Sequence, residues 1–157
     1  GASGKTKFDG ARGGISDVVT ASTSNIITNS GKDFLYNRLY GATYSVVSRF
    51  ALGNGIVAAS ATDLDLGGKF TVAQWHDYYS GQYKNFQGSN EDVLDTSLFK
   101  WLWKGRVQEI HLNGQTISEM GEFNSDASSL MLSRDVFSAF SKTSDKRLFI
   151  EVQNKLT

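Results

Sequence analysis

Cysteine and proline are both missing from this 157-residue chain, and histidine occurs only twice. Without cysteine there is no disulfide framework, no thiolate nucleophile and no Cys-based zinc site. Neither sign of charge is in excess, since Lys+Arg and Asp+Glu each number 16. The long-range field is therefore weak, and neither nucleic acid nor an anionic membrane is an expected partner. No segment approaches the roughly 18 consecutive apolar residues of a membrane span. The opening GASGKTKFDGARGG lacks the apolar centre of a signal peptide, so the chain is expected to be soluble and not exported by that route. What is present is glycine, 16 residues of it, and an aromatic content of 12%. With no proline, that mixture suits β structure whose turns are made by Gly and Asn. The length fits one domain able to bury its own core, so a single mainly β domain is the first expectation.

Residues 1–24 are Gly, Ser, Thr and scattered charge, with apolar anchors only at Phe8, Ile15, Val18 and Val19. That is too little apolar surface to fold alone, so this segment is expected to be an arm, flexible or ordered by a partner. A β-sandwich domain is expected over residues 25–157. Its best helix lies in residues 25–41, with Asn29 or Ser30 as cap, Asp33 in the first turn, Phe34, Leu35 and Leu39 on one face, and Gly41 as the stop. Residues 44–52 (YSVVSRFAL) read as a strand entering the turn Gly53-Asn54-Gly55, residues 56–68 as an exposed loop, and residues 69–75 as a resumed strand. A polar stretch at about 76–96, with Tyr78, Tyr79, Tyr83 and Phe86 interleaved, reads as an insertion. Residues 98–112 alternate as a long strand or hairpin with Gly105 at a bulge, and Asn113-Gly114 gives the strongest hairpin signal. Residues 117–123 are therefore expected to pair back onto 107–112. Further strands are expected at 129–139 and 147–155. The pattern favours an antiparallel, jelly-roll-like β-sandwich with one short N-terminal α-helix.

Few constellations suggest chemistry. Gly4-Lys5-Thr6 lacks the earlier glycine, preceding strand and following helix that a phosphate loop needs. His76 and His111 have no ligand spacing, and Asp63 and Asp65 lack the dense acids of a calcium loop, so no metal site is expected. There is no G-x-S-x-G elbow to mark a nucleophilic serine. Glu109, Glu119 and Glu122 fall on neighbouring strands, which leaves a glycosidase carboxylate pair as one reading and solvated or cross-strand-paired acids as the plainer one. Trp75, Tyr78, Tyr79, Tyr83 and Phe86 have the character of a sugar- or protein-binding platform, or of rings that cover a sheet face.

Several segments, in order, resemble a β-rich domain of tailed-bacteriophage tail-fibre and tail-collar proteins. Residues 25–33 (NIITNSGKD) are similar to its opening strand and capped helix, residues 50–55 (FALGNG) to its strand and glycine turn, and residues 59–66 (ASATDLDL) to the loop that follows. Residues 117–123 (ISEMGEF), Leu132-Ser133-Arg134 and Phe140-Ser141-Lys142-Thr143 are similar to its last strands. Glu119 and Arg134 are the polar members of that pattern, and a buried cross-strand pair or a subunit contact accounts for them better than a reaction does. The resemblance implies a non-enzymatic virion component without cofactor, assembled in the bacterial cytoplasm. It implies a tail-fibre, collar or baseplate adaptor, with a capsid decoration protein as the alternative and a module binding host surface glycans as a second. Other virion proteins and copies of the chain itself, with a trimer favoured, are the implied partners. Phe8, Ile15, Val18, Val19, Trp75, Tyr78, Tyr79, Tyr83 and Phe86 are the expected contact residues.

Overall fold

The computed structural model describes residues 2–12, 15–17, 23–41, 43–76, 81–86, 93–95 and 100–156. In chain order the elements are β1 (Ala2–Arg12), β2 (Ile15–Asp17), β3 (Thr23–Ile27), α1 (Asn29–Leu39), β4 (Val47–Gly53), α2 (Val72–Trp75), β5 (Lys84–Asn85), β6 (Val93–Asp95), β7 (Lys100–Val107), β8 (Thr116–Asn124), β9 (Met131–Ser141) and β10 (Arg147–Leu156). The protein is mainly β and antiparallel, as its composition predicts. One hydrogen-bonded path runs β5-β4-β8-β9-β3-β1-β10-β7-β6, with β2 paired to β1. β3 is the corner: its first half pairs with β1 and its last two residues, Ile26 and Ile27, pair with β9. One sheet therefore holds β6, β7, β10, β1 and β2, the other holds β5, β4, β8 and β9, and β3 belongs to both.

The two sheets enclose the main core. Phe50 and Leu52 of β4, Ile117 and Met120 of β8 and Phe137 of β9 meet Val107 of β7 and Leu148, Ile150 and Val152 of β10. In β4 and β10 these positions alternate, the period-2 signature of an inward face, and in β8 a register shift between Ile117 and Glu119 lengthens the step to Met120. Gly105 seats the contact between sheets, because a Cβ there would lie 2.5 Å from the Phe50 ring. Its place in β7, opposite Ile150 in an unbroken register, corrects the expected bulge.

The outer face of the second sheet is covered too. α1 lays Phe34 against Ile27, Val47 and Leu132, while Leu66 and Tyr83 cover Ala51, Phe123 and Met131. That double cover explains why every residue of β8 after Thr116 is buried. Thr28, not Asn29 or Ser30, caps α1: its hydroxyl accepts from the Gly31 N–H and also donates to the Met131 carbonyl at 2.6 Å, tying helix to sheet. Gly31 lies so close to the Leu132 carbonyl that no side chain fits there. Asp33 falls beyond the first turn, and Leu39, five residues on from Phe34 and so about 140° round the helix from it, projects outward at 87% exposure.

Three further expectations need correction. Residues 69–75 do not continue as a strand: Lys69 makes one bridge to Gly53, and Thr71 then opens α2 with a reciprocal Thr71–Gln74 capping box. β8 does not fold back on β7. It pairs with β4 and β9, while β7 pairs with β10 and β6, so residues 108–115 cross from one sheet to the other. Residues 2–12, expected as part of an arm, form β1 and pair with β10 from Ala2↔Leu156 to Ala11↔Arg147. Backbone pairing of β1 between β10 on one side and β3 and β2 on the other requires no hydrophobic stripe, which is why composition alone misses it.

Candidate functional site

Five of the six segments that carry the resemblance meet on the outer face of the β4-β8-β9 sheet around one buried carboxylate, while residues 140–143 lie at the far end of β9. Glu119 is wholly buried, and its Oε1 accepts the backbone N–H groups of Gly55 at 3.0 Å and Gly68 at 2.6 Å. Its Oε2 accepts the Gly67 N–H at 3.1 Å and Arg134 Nε at 3.0 Å, with Arg134 Nη2 at 2.9 Å. Gly55 has to be glycine here, since a Cβ would sit 2.6 Å from the carboxylate oxygen. Arg134, itself 3% exposed, sends Nη1 to Asp63 Oδ2 at 2.7 Å and Nη2 to the Val57 carbonyl at 3.1 Å. Ser118 Oγ donates to the Gly55 carbonyl, and Asn29 N–H to the Ala61 carbonyl. Burial works against ionisation of Asp63, but the Ser60 N–H and the Arg134 guanidinium hold its carboxyl below the usual range. Burial likewise opposes the Arg134 charge, and its hydrogen bonds to Asp63 and Glu119 more than restore it.

A charged residue without partners would be costly in this place, whereas a saturated one holds irregular backbone in a single conformation. The consequence is a rigid loop over residues 54–68 that packs Leu66 against the sheet and turns three other large apolar residues outward. Ile56, Val57 and Leu64 are 81%, 74% and 75% exposed. One guanidinium grips both the Val57 carbonyl and the Asp63 carboxylate, which ties the two ends of the 57–63 segment to the same side chain. Large apolar side chains displayed on a stiffened loop have the character of a contact surface. Periodicity does not reveal this loop as a site; the signal was the Asp63, Glu119 and Arg134 charges spaced among glycines.

The aromatic residues fare differently. Trp75 is wholly buried in the main core, edge-on to His111 at 5.9 Å and under Lys84 Nζ at 4.7 Å, which corrects its place in an outward platform. Tyr83 is half-buried: Arg49 lies 4.2 Å from its ring centroid, Lys69 Nζ contacts its hydroxyl at 2.9 Å, and Phe123 meets it edge-on. Phe86 packs between Phe50 and Trp103, each at 5.3 Å. These two rings cover sheet surface. Tyr78 and Tyr79 lie outside the described residues, as do Val18 and Val19. Phe8 pairs with Ile150 in β1, and Ile15 pairs with Arg12 in β2.

The three glutamates considered as an acid pair occupy three separate settings. Glu119 holds the loop. Glu122, on the inner face, is wholly buried, bonded by Ser133 Oγ and by Asn154 Nδ2 at 2.7 Å. Burial pushes its carboxyl up to about 7, and the neighbouring Asp135 charge adds to that. Glu109 lies at the surface with Arg147, 3.1 Å away. Because Glu119 and Glu122 face opposite sides of β8, they do not bracket a common bond, and a two-carboxylate mechanism has no geometry here. Among the described residues no group of three or more His, Asp or Glu side chains is arranged to hold a metal ion. Comparison with protein-family models, with curated proteins and with solved structures finds no match for this chain.

Proposed function

We propose that this chain is a non-enzymatic structural component of a tailed-phage virion, a tail-fibre, collar or baseplate adaptor that works by binding copies of itself and other virion proteins. The observation that carries the reading is the loop clamp. Five of the six sequence segments resembling the phage domain gather around Glu119 and Arg134, and those two residues pair, which supports an architectural role. Their titratable groups are consumed in holding backbone, and what they hold outward is Ile56, Val57 and Leu64. An assembly protein needs such a surface to be stiff before it meets its partner, since ordering a loop on contact subtracts from affinity. A second copy of the chain is the first occupant, in a closed symmetric oligomer, with a trimer favoured by the resemblance.

Light scattering on the purified chain tests this. The expected result is a homo-oligomer that Leu64→Asp shifts toward monomer, while melting of the isolated fold changes little because Leu64 is already in water. A chain that stays monomeric at all concentrations, or an oligomer indifferent to the substitution, removes the loop from assembly.

A further inference from the structure

At the other end of β8, Lys142 follows the last residue of β9 and is wholly buried, which is rare for a lysine. Its Nζ reaches three carbonyl oxygens: Asn113 Oδ1 at 2.9 Å, the Thr143 carbonyl at 2.9 Å and the Glu109 carbonyl at 3.2 Å. The two backbone segments are locked together beside this contact, with Gly114 N–H donating to the Lys142 carbonyl at 2.8 Å and Lys142 N–H to the Gln115 carbonyl at 2.9 Å. The amine is thus held against the side-chain carboxamide of Asn113 by backbone that cannot move independently. One C=O bond of about 1.2 Å separates Oδ1 from Cγ, so the carbonyl carbon lies no more than about 4 Å from the amine. That is close to the separation from which bond formation proceeds in an oriented pair.

We propose that Lys142 and Asn113 join in an intramolecular isopeptide bond that covalently closes the turn between residues 108–115 onto the end of β9. Lys142 first gives one ammonium proton to solvent, a loss that burial promotes against the opposing pull of the Glu109 and Asp145 charges. The Nζ lone pair then adds to Cγ of Asn113. The Cγ–Nδ2 bond breaks, Nδ2 takes up a proton released by Nζ, and ammonia leaves. The product is a secondary amide between Cγ and Nζ, formed without oxidant, reductant or cofactor. The Glu109 and Thr143 carbonyls orient the amine and so act as positioning groups. The bond would span 29 residues and pin the Thr116↔Ser141 end of the β8-β9 ladder, a mechanical gain for a protein that bears load in an assembly. The inference rests on this geometry and not on the virion assignment.

Intact mass under denaturing conditions decides it. The folded full-length chain is expected to be lighter than its sequence by one ammonia, about 17 Da, and Lys142→Arg is expected to restore the full mass. Closure of Asn113 onto Gly114 would also expel ammonia, but it would not need Lys142, and the Gly114 N–H is engaged with the Lys142 carbonyl. A loss that persists in Lys142→Arg therefore overturns the proposal, as does a full sequence mass after prolonged incubation of the folded protein. Digestion of the unaltered chain gives a reading that requires no variant. The peptides holding residues 113 and 142 emerge as one branched species if the bond exists, and separately if it does not.

Discussion

Arg134→Met lowers the free energy of unfolding by about 3–5 kcal/mol, the usual cost of removing one partner from a buried ion pair. For a chain of this length that is a fall in melting temperature of about 10 °C. Two losses contribute. Glu119 and Asp63 lose the guanidinium that neutralises them, and the Val57 carbonyl loses its donor. Replacing both partners of a buried ion pair with apolar residues is often neutral, but that escape is closed here. Glu119 also accepts three backbone N–H groups, from Gly55, Gly67 and Gly68, so Glu119→Leu leaves them without an acceptor at about 1–3 kcal/mol each. Glu119→Leu combined with Arg134→Met is accordingly expected to be no more stable than Arg134→Met alone. Thermal or denaturant unfolding of the two variants checks the ordering; a rescued double variant would mean that the ion pair, and not the loop, is what Glu119 serves. The clamp also has an acid limit. The folded pKa of Asp63 lies below its ordinary 3.8, so its contribution is complete above that value and is lost as pH falls through the lower folded value.

Glu122→Gln has the opposite sign. The native carboxyl holds its proton up to about 7, whereas in the unfolded chain it ionises near 4.5. Between those values the native state binds more protons than the unfolded state, so the Glu122 contribution to stability falls as pH rises from about 4.5 to 7 and stays low above that. The full difference corresponds to about 3 kcal/mol. Glutamine keeps the shape: its carbonyl accepts from Asn154 Nδ2, and its amide takes the place of the oxygen to which Ser133 Oγ donates, so that the serine hydroxyl turns to accept instead. The variant is expected to match the unaltered chain near pH 4.5, to exceed it by about 3 kcal/mol above pH 7, and to remove most of the pH slope between. Denaturant unfolding across that range reads the slope directly. An unchanged slope in Glu122→Gln would place the ionisation elsewhere on the inner face.

Local patterning carried much of this fold. The residues of α1, β4, β9 and β10 announce themselves within a few positions, because helix capping, β-branched runs and turn residues act over short range. Pairing did not follow from local signals. Asn113-Gly114 promises a hairpin, and Gly114 does take a positive φ of 77°. Yet β8 is buried at every residue after Thr116 and takes a central place between β4 and β9, while β7 is flanked by β10 and β6. Trp75 shows the same limit. Polar neighbours make its segment read as exposed, but α2 turns the indole into the core, where Lys84 lies against its face. Buried polar groups were the least legible of all. Nothing in the period of the sequence distinguishes Glu122, Lys142 or Asn154 from surface residues, and only the closure of one sheet over the other puts them inside. Glu119 and Arg134 were the exception, because the resemblance marks them as the polar members of its pattern and implies a buried cross-strand pair or a subunit contact, of which the pair is observed.

The proposed virion role turns on whether, and where, the chain sits in a particle. A cryo-electron microscopy map of virions produced by the genome that encodes this chain is predicted to contain its density at the tail fibre, collar or baseplate, with Ile56, Val57 and Leu64 against a neighbouring copy or another virion protein. Density repeated over the capsid lattice would contradict the tail address, and a particle that lacks the chain altogether would contradict the structural role itself.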